Sequence, residues 1–272
     1  MKNFMVANLS RHKRYKSEKI ELLMKAQIAN SLEIGWEIKD IILLANFDYE
    51  YMGVKSVVTE LNKECLTGSK IFGIKHLLDN DMVGDEIIWA HDLDAWQNVW
   101  FDPPAIKDAG ITCYSNDKFN GGSIFWTNRA KDIVDEVVNT IVSDKEKKEE
   151  PTINKVLKSK KYRDRVTTVN RTFNVGCSGY VVRWDKSIKP LRVCHFHPYN
   201  FIAWETHALD RNGLDVKGIT LRLERLLRKY YLNLATELSD KGIRAQKERK
   251  ERRLQGFPSK PKKGEKLLKS GK

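Results

Sequence analysis

An α/β fold with a mostly parallel central sheet is what the 272-residue sequence predicts. Three observations carry it. Short, continuous apolar runs of strand length alternate with longer segments of helical period, the pattern of strands joined by crossover helices. Hydrophobic residues make up 41% of the chain, with seven Trp, ten Phe and nine Tyr, enough to bury a sizeable core. One apolar run, Glu86–Ala90, stops abruptly in His91-Asp92-Leu93-Asp94, and open parallel sheets bind ligands beyond the carboxyl ends of their strands.

Taken in order, Phe4–Ala7 reads as a short buried strand, followed by a basic loop over Ser10–Lys16. Glu18–Ile34 has helical period, with Ile20, Leu23, Met24, Gln27 and Ile28 near one face. Ile41–Phe47, Lys70–Ile74 and Glu86–Ala90 are apolar runs of strand length. Ile111–Tyr114 and Gly122–Thr127 read as strands flanking a turn-rich segment, Ser115–Gly121. Arg129–Val142 is helical; the charged stretch Ser143–Glu150 leads to Pro151, which suits the first turn of a helix running to Leu157. Arg192–His197 is a late short strand. Leu221–Leu238 reads as an amphipathic helix, with Leu223, Leu226, Leu227, Tyr230, Tyr231 and Leu234 on its apolar side. The pattern divides the chain into a catalytic domain over 1–217, the amphipathic helix within 218–242, and a basic, disordered tail over 243–272.

Charge is concentrated in that tail. The whole chain carries +13, and residues 243–272 hold 12 Lys and Arg against 3 Glu. Such a tail fits a polyanionic partner, nucleic acid or an anionic membrane face, as well as a merely solvated end. The four cysteines, Cys65, Cys113, Cys177 and Cys194, are spread out with no CxxC pair, which predicts reduced thiols and a cytoplasmic setting. The N-terminal apolar run is too short for a signal peptide, and no stretch reaches the length of a membrane span.

Four local features bear on chemistry. Asp92 and Asp94, spaced i, i+2 after a buried strand, share one face in extended geometry and repel unless a cation lies between them. Hard divalent ions such as Mg²⁺ or Mn²⁺ bind carboxylate oxygens and can bridge to a diphosphate. His195 and His197 alternate in the same way; they fit half-buried histidines bonded to backbone or, joined to the carboxylates, a mixed site that favours Mn²⁺. In Lys118-Phe119-Asn120-Gly121-Gly122 the paired glycines permit a tight turn or a close approach of backbone to ligand, and Asn120 can bond sugar hydroxyls. In Glu149-Glu150-Pro151-Thr152-Ile153-Asn154 the acids suit a helix N-terminus, or present carboxylate and amide beside a sugar.

Asp-x-Asp, Phe-Asn-x-Gly, an acidic pair with Asn four residues beyond it, and a late His-Phe follow one another in an order that resembles the GT-A glycosyltransferases. The similarity is greatest to the family of glycogenin and the bacterial lipopolysaccharide galactosyltransferases, and it covers residues 4–204. The resemblance implies a Rossmann-like GT-A domain that moves a sugar from a nucleotide sugar, a UDP-sugar, with Mn²⁺ or Mg²⁺ as cofactor. It makes Asp92 and Asp94 metal ligands, Asp92 also touching the ribose, with His195 as third ligand and His197 the alternative. Asn120 would lie near the donor sugar; Glu149, Glu150 and Asn154 would line the reacting centre; Ala7, Asn8 and Asp48 would hold the nucleoside.

The chain departs from the family in two places. Glu149-Glu150 replaces Asp-Gln: a Glu can act as general base on an acceptor hydroxyl, giving inversion, where the family implies retention. The family's Lys-Pro-Trp segment is absent, so contacts to the leaving phosphate fall to Lys75 or the Arg11–Lys16 loop. For the acceptor, the tail's few aromatics favour tracking of DNA, such as a modified base, over a lipid-linked or cell-surface glycan at the inner membrane face. A basic nucleic-acid-binding protein without catalysis is the reading from a different class; it predicts no metal site and no nucleotide-sugar affinity.

Overall fold

The computed structural model describes residues 1–9, 17–61, 69–115, 118–143, 148–176, 186–195 and 220–230. The predicted tail, the Arg11–Lys16 loop, His197 and the helix beyond Tyr230 lie outside them.

Strand β1 (Lys2–Ala7) leads into helix α1 (Ser17–Ile34), which returns the chain to β2 (Ile41–Ala45). A hairpin joins the two-residue β3 (Glu50–Tyr51) to β4 (Val54–Val58). Its turn holds Met52 and Gly53 at φ of 50° and 82°, a left-handed conformation that glycine adopts freely. Helix α2 (Ser69–Asp79) then precedes β5 (Ile88–His91). After the short β6 (Ala95–Gln97) come β7 (Ala109–Ser115) and β8 (Lys118–Trp126), helices α3 (Lys131–Ser143) and α4 (Glu149–Leu157), strands β9 (Val166–Val169), β10 (Val175–Gly176) and β11 (Val193–His195), and helix α5 (Leu221–Tyr230).

Eight strands form one mixed sheet in the order β3-β4-β2-β1-β5-β8-β7-β9. Its centre, β4-β2-β1-β5, is parallel throughout, and β8 turns the direction by pairing antiparallel with β5 and β7. Of the parallel strands, β1, β2 and β5 are largely buried on both faces, as their continuous apolar runs require, while β4 is mostly part-exposed. Alternate residues serve opposite layers. Phe4, Leu44 and Ala90 pack under α2, α3 and α4, while Met5, Leu43 and Trp89 pack with Ile20, Met24 and Ile28 of α1. Gly73 lets α2 lie directly on β1, since a Cβ there would meet Phe4 Cζ at 2.7 Å. A second sheet of three short strands, β10-β11-β6, sits beside the first. Among the described residues no helix is long and apolar enough to cross a membrane.

Two elements differ from their sequence reading. Lys70–Ile74 is not a strand but the start of α2; a five-residue apolar run buried against a sheet looks the same for either element, and only its continuation to Asp79 marks a helix. Of the predicted turn segment Ser115–Gly121, Ser115 ends β7 and Lys118–Gly121 opens β8, which carries a bulge. Ile111 pairs with Ile124 but Thr112 pairs with Asn120, so residues 121–123 stand out of the β7 ladder. The paired glycines sit in that bulge.

Candidate active site

The carboxyl ends of the parallel strands, Ala7, Ala45, Val58 and His91, define one edge of the large sheet. The chain leaves β5 there in a turn: the Asp92 amide donates to the Gly122 carbonyl at 2.9 Å and the Ala95 amide to the Asp92 carbonyl at 2.9 Å. Ala95 then opens β6, which pairs antiparallel with β11 so that Ala95 faces His195. Asp92 therefore hangs from the large sheet, Asp94 enters the small one, and His195 is delivered to both from about a hundred residues away. His195 Nε2 lies 3.1 Å from Asp94 Oδ1 and 3.7 Å from Asp92 Oδ2. Among the described residues these three form the one cluster with ligand atoms mutually within 4.8 Å.

A directed chain of hydrogen bonds sets the ring. His195 Nδ1 donates to Asn174 Oδ1 at 3.2 Å, Asn174 Nδ2 donates to Asn120 Oδ1 at 2.6 Å, and Asn120 Nδ2 donates to Glu150 Oε2 at 3.1 Å. With Nδ1 committed as donor, neutral His195 turns its Nε2 lone pair toward two carboxylates, the arrangement of a metal ligand fixed by its outer partner. Without a cation the same geometry favours the imidazolium. Burial opposes charge on His195, which is 3% exposed, but Asp94 and Asp92 outweigh it and its pKa is raised. Two carboxylates and an imidazole fit Mn²⁺ more closely than an all-oxygen set would. Gly122 makes room for this ring: a Cβ there would collide with Cε1 and Nδ1 of His195.

Lys70, at the first turn of α2, enters the cluster from below. Its ammonium is 2.5 Å from Asp92 Oδ1 and also donates to the Gly121 carbonyl in the bulge. Burial works against that charge, yet Asp92, Glu149 and Asp94 raise its pKa. Glu149 is the counterpart. Burial, with Asp92 and Glu150 adding and Lys70 and the Ile71 amide opposing, pushes its carboxyl up to about 7, and its Oε1 has no hydrogen-bond partner among the described residues.

No protein-family model matches this chain, and no curated protein matches it by sequence. Solved structures do. The galactosyltransferase LgtC in complex with donor and acceptor sugar analogs aligns with a TM-score of 0.51 at 13% identity over 88% of this chain and 96% of its own. An active-site mutant of LgtC gives 0.53 at 11% identity over 84% and 96%. The glycosyltransferase GlyE of Streptococcus pneumoniae TIGR4 gives 0.51 at 12% identity over 89% of this chain and 64% of its own. The fold is that of the GT-A glycosyltransferases.

The other residues singled out in the sequence fall into four groups. Asn154 lies beneath the bulge; its side chain accepts from the Phe119 amide at 2.8 Å and donates to the Phe119 carbonyl at 2.9 Å, locking α4 to β8. Ala7 and Asn8 lie at the carboxyl edge, both buried, with Asn8 Nδ2 donating to Ser69 Oγ at 2.9 Å. Asp48 is exposed beyond the end of β2. Lys75 is not drawn into the cluster. Five residues past Lys70, it points about 140° around the helix, pairs with Asp79 at 2.9 Å and with Asp135, and lines a separate cleft of about 440 Å³ with Phe72 and His76.

Sequence reasoning missed Lys70 and Asn174. Lys70 was hidden by the strand reading of its segment. Asn174 had a signal: Phe173-Asn174-Val175-Gly176 repeats the Phe-Asn-x-Gly pattern of Phe119–Gly122, and the two asparagines bond to each other.

Proposed function

We propose that this protein transfers a sugar from a nucleotide-sugar donor to an acceptor hydroxyl. The observation that carries the reading is the convergence of Asp92, Asp94 and His195 at the carboxyl edge of the parallel strands, in a fold shared with enzymes of that class. Asp92, Asp94 and His195 would hold a divalent ion, Mn²⁺ by preference, whose charge neutralises the departing diphosphate. Asp92 is the ligand exposed enough to reach the donor as well, with 41% of its side chain accessible against 18% for Asp94.

Around it the chain supplies orientation and proton handling. Ala7, Asn8 and Asp48 mark the strand ends where the nucleoside would lie. Asn120, held between Asn174 and Glu150, is placed to bond the donor sugar. Lys70 adds a fixed positive charge beside Asp92, the electrostatic preorganisation that favours a leaving anion. Glu149, whose carboxyl titrates near neutrality, is suited to exchange a proton with an acceptor hydroxyl, while Asn154 fixes the helix that presents Glu149 and Glu150.

The acceptor reading rests on charge. The 12 Lys and Arg within 243–272 suit a polyanion, and DNA is the proposed acceptor class. Removing 243–272 should lower DNA affinity and flatten its salt dependence, because fewer counterions are released, while donor hydrolysis stays intact. Loss of binding to anionic vesicles instead, with DNA binding weak and salt-insensitive throughout, would replace DNA by a membrane-borne glycan.

The test of the function itself is a donor-hydrolysis screen across nucleotide sugars with Mn²⁺, repeated with DNA and with lipid-linked glycans. Turnover of one donor, lost on chelation, supports the reading. No turnover and no nucleotide-sugar binding would leave a basic nucleic-acid-binding protein on this scaffold.

A further inference from the structure

His91 ends β5 one residue before the carboxylate turn. It is 1% exposed and stacks on Trp89 with ring centroids 4.2 Å apart. Its Nε2 is 2.8 Å from Asn3 Oδ1 and its Nδ1 is 3.0 Å from the Asp92 carbonyl oxygen. Both ring nitrogens thus face oxygens, and a neutral imidazole carries only one N–H. The two partners are not equivalent. Asn3 is a primary amide whose outer side lies 2.9 Å from Ser31 Oγ, and the Ser31 hydroxyl itself donates to the Gln27 carbonyl at 2.9 Å; turning the amide over redirects that single O–H to the Asn3 oxygen, and the Gln27 carbonyl keeps its helical i+4 amide as donor. The Asp92 carbonyl can only accept. The arrangement that satisfies every group has Nδ1–H donating to Asp92, with Nε2 accepting from Asn3.

The recipient of that bond matters. The Asp92 carbonyl also accepts from the Ala95 amide at 2.9 Å, closing the turn that carries Asp92 and Asp94. Two donors from different directions, one from the turn and one from the buried strand, fix the plane of this peptide. We propose that His91 is a positioning residue: its Nδ1–H, donated from the interior, holds the Asp92–Ala95 turn in the shape that aims both carboxylates at His195. The inference rests on the cation-site reading for its consequence but not for its hydrogen bond, and the two are tested separately.

The bond is read by long-range ¹⁵N–¹H NMR of the full chain with labelled histidine, assigning His91 by its loss in a variant. The expected signature is the Nδ1–H tautomer; an Nε2–H ring at His91 overturns the proposal. The consequence is read by calorimetric Mn²⁺ titration of two substitutions. His91→Asn puts an amide nitrogen at the place of Nδ1, and His91→Gln puts one at the place of Nε2. His91→Asn should stay within about threefold of the parent in Mn²⁺ affinity and His91→Gln should lose on the order of tenfold. Equal losses, or none in either, contradict the positioning role. A parent protein that binds no Mn²⁺ refutes the cation site alone, and the tautomer measurement still decides His91.

Discussion

The eight-stranded sheet and the three-stranded sheet build the candidate site in different ways. The large sheet is assembled from runs of apolar residues that declare themselves locally, and it delivers Asp92 to its carboxyl edge from β5, which is buried on both faces. The small sheet consists of strands of two or three residues and exists only because Ala95–Gln97 meets Val193–His195. His195 belongs to this second body, and Asp94 is the turn residue that leads into it. The geometry proposed to bind a cation is made at the seam where the two sheets meet, so a change can spare one sheet and still disable the site.

Breaking the seam itself should have the largest effect. Asp94→Ala removes a proposed ligand from a turn that contributes little to either core. Metal-dependent turnover is expected to fall on the order of 10²–10³-fold, matching several kcal/mol of charge stabilisation, with the melting temperature little changed. Full activity of that variant in chelator-treated buffer would sink the ligand assignment.

Changes confined to the support of His195 come next. Asn174→Ala removes the acceptor that orients Nδ1, and Gly122→Ala drives a methyl group into the ring. Each should cost on the order of 10–100-fold in Mn²⁺ affinity, the usual effect of losing an outer partner of a metal-bound histidine. Calorimetry showing unaltered affinity in both would mean that the surroundings of His195 do not set the site.

Acidification should act on the same side of the seam. Mn²⁺ needs neutral His195, whose pKa is raised above 6.5 by Asp94 and Asp92 in spite of burial. Affinity should therefore fall by roughly tenfold per pH unit, starting at a higher pH than an ordinary imidazole would give. Affinity flat from pH 8 to 6 would remove His195 from the ligand set.

Glu149 sharpens the comparison from the other sheet, since α4 is packed on β8. Its carboxyl keeps its proton to about pH 7 in the folded chain against an ordinary 4.5. The stability it contributes is thus present below 4.5 and is lost as pH rises through 7. Glu149→Gln should make melting temperature less dependent on pH between 5 and 8, by about 2–4 °C for each kcal/mol involved. An unchanged pH profile of stability would place the carboxyl in water.

The smallest effect on the site should come from within the large sheet. Gly73→Ala presses on Phe4 and should cost about 1–3 kcal/mol of stability, read by denaturant unfolding. Mn²⁺ affinity of the folded fraction should be unaltered. A parallel loss of affinity would show that the two sheets are not separable as described.

What could be read from the sequence follows the same division. Ile41–Ala45 and Ile88–His91 read correctly as buried strands because each is a short apolar run, with β-branched or aromatic residues, that polar residues stop within strand length. Asp92 and Asp94 were legible for that reason: the strand gives them an address. The β6–β11 pairing was not legible, since strands of three residues carry no period and their partner is fixed by folding over about a hundred residues. His195 could be singled out by residue type, but its contact with Asp94 comes from that pairing. Lys70 shows a third case, in which the segment was seen and its period misjudged. The apolar run Lys70–Ile74 reads as a strand, so Lys70, which pairs with Asp92 at 2.5 Å, is passed over for Lys75.

Calorimetric titration of Mn²⁺ into the full-length protein and into His195→Ala, at pH 7.5 with and without a nucleoside diphosphate, tests the central claim most directly. The account predicts one site in the parent, tighter with the diphosphate present, and a loss on the order of 10–100-fold in His195→Ala. Equal Mn²⁺ binding by both proteins, unmoved by the diphosphate, would contradict it.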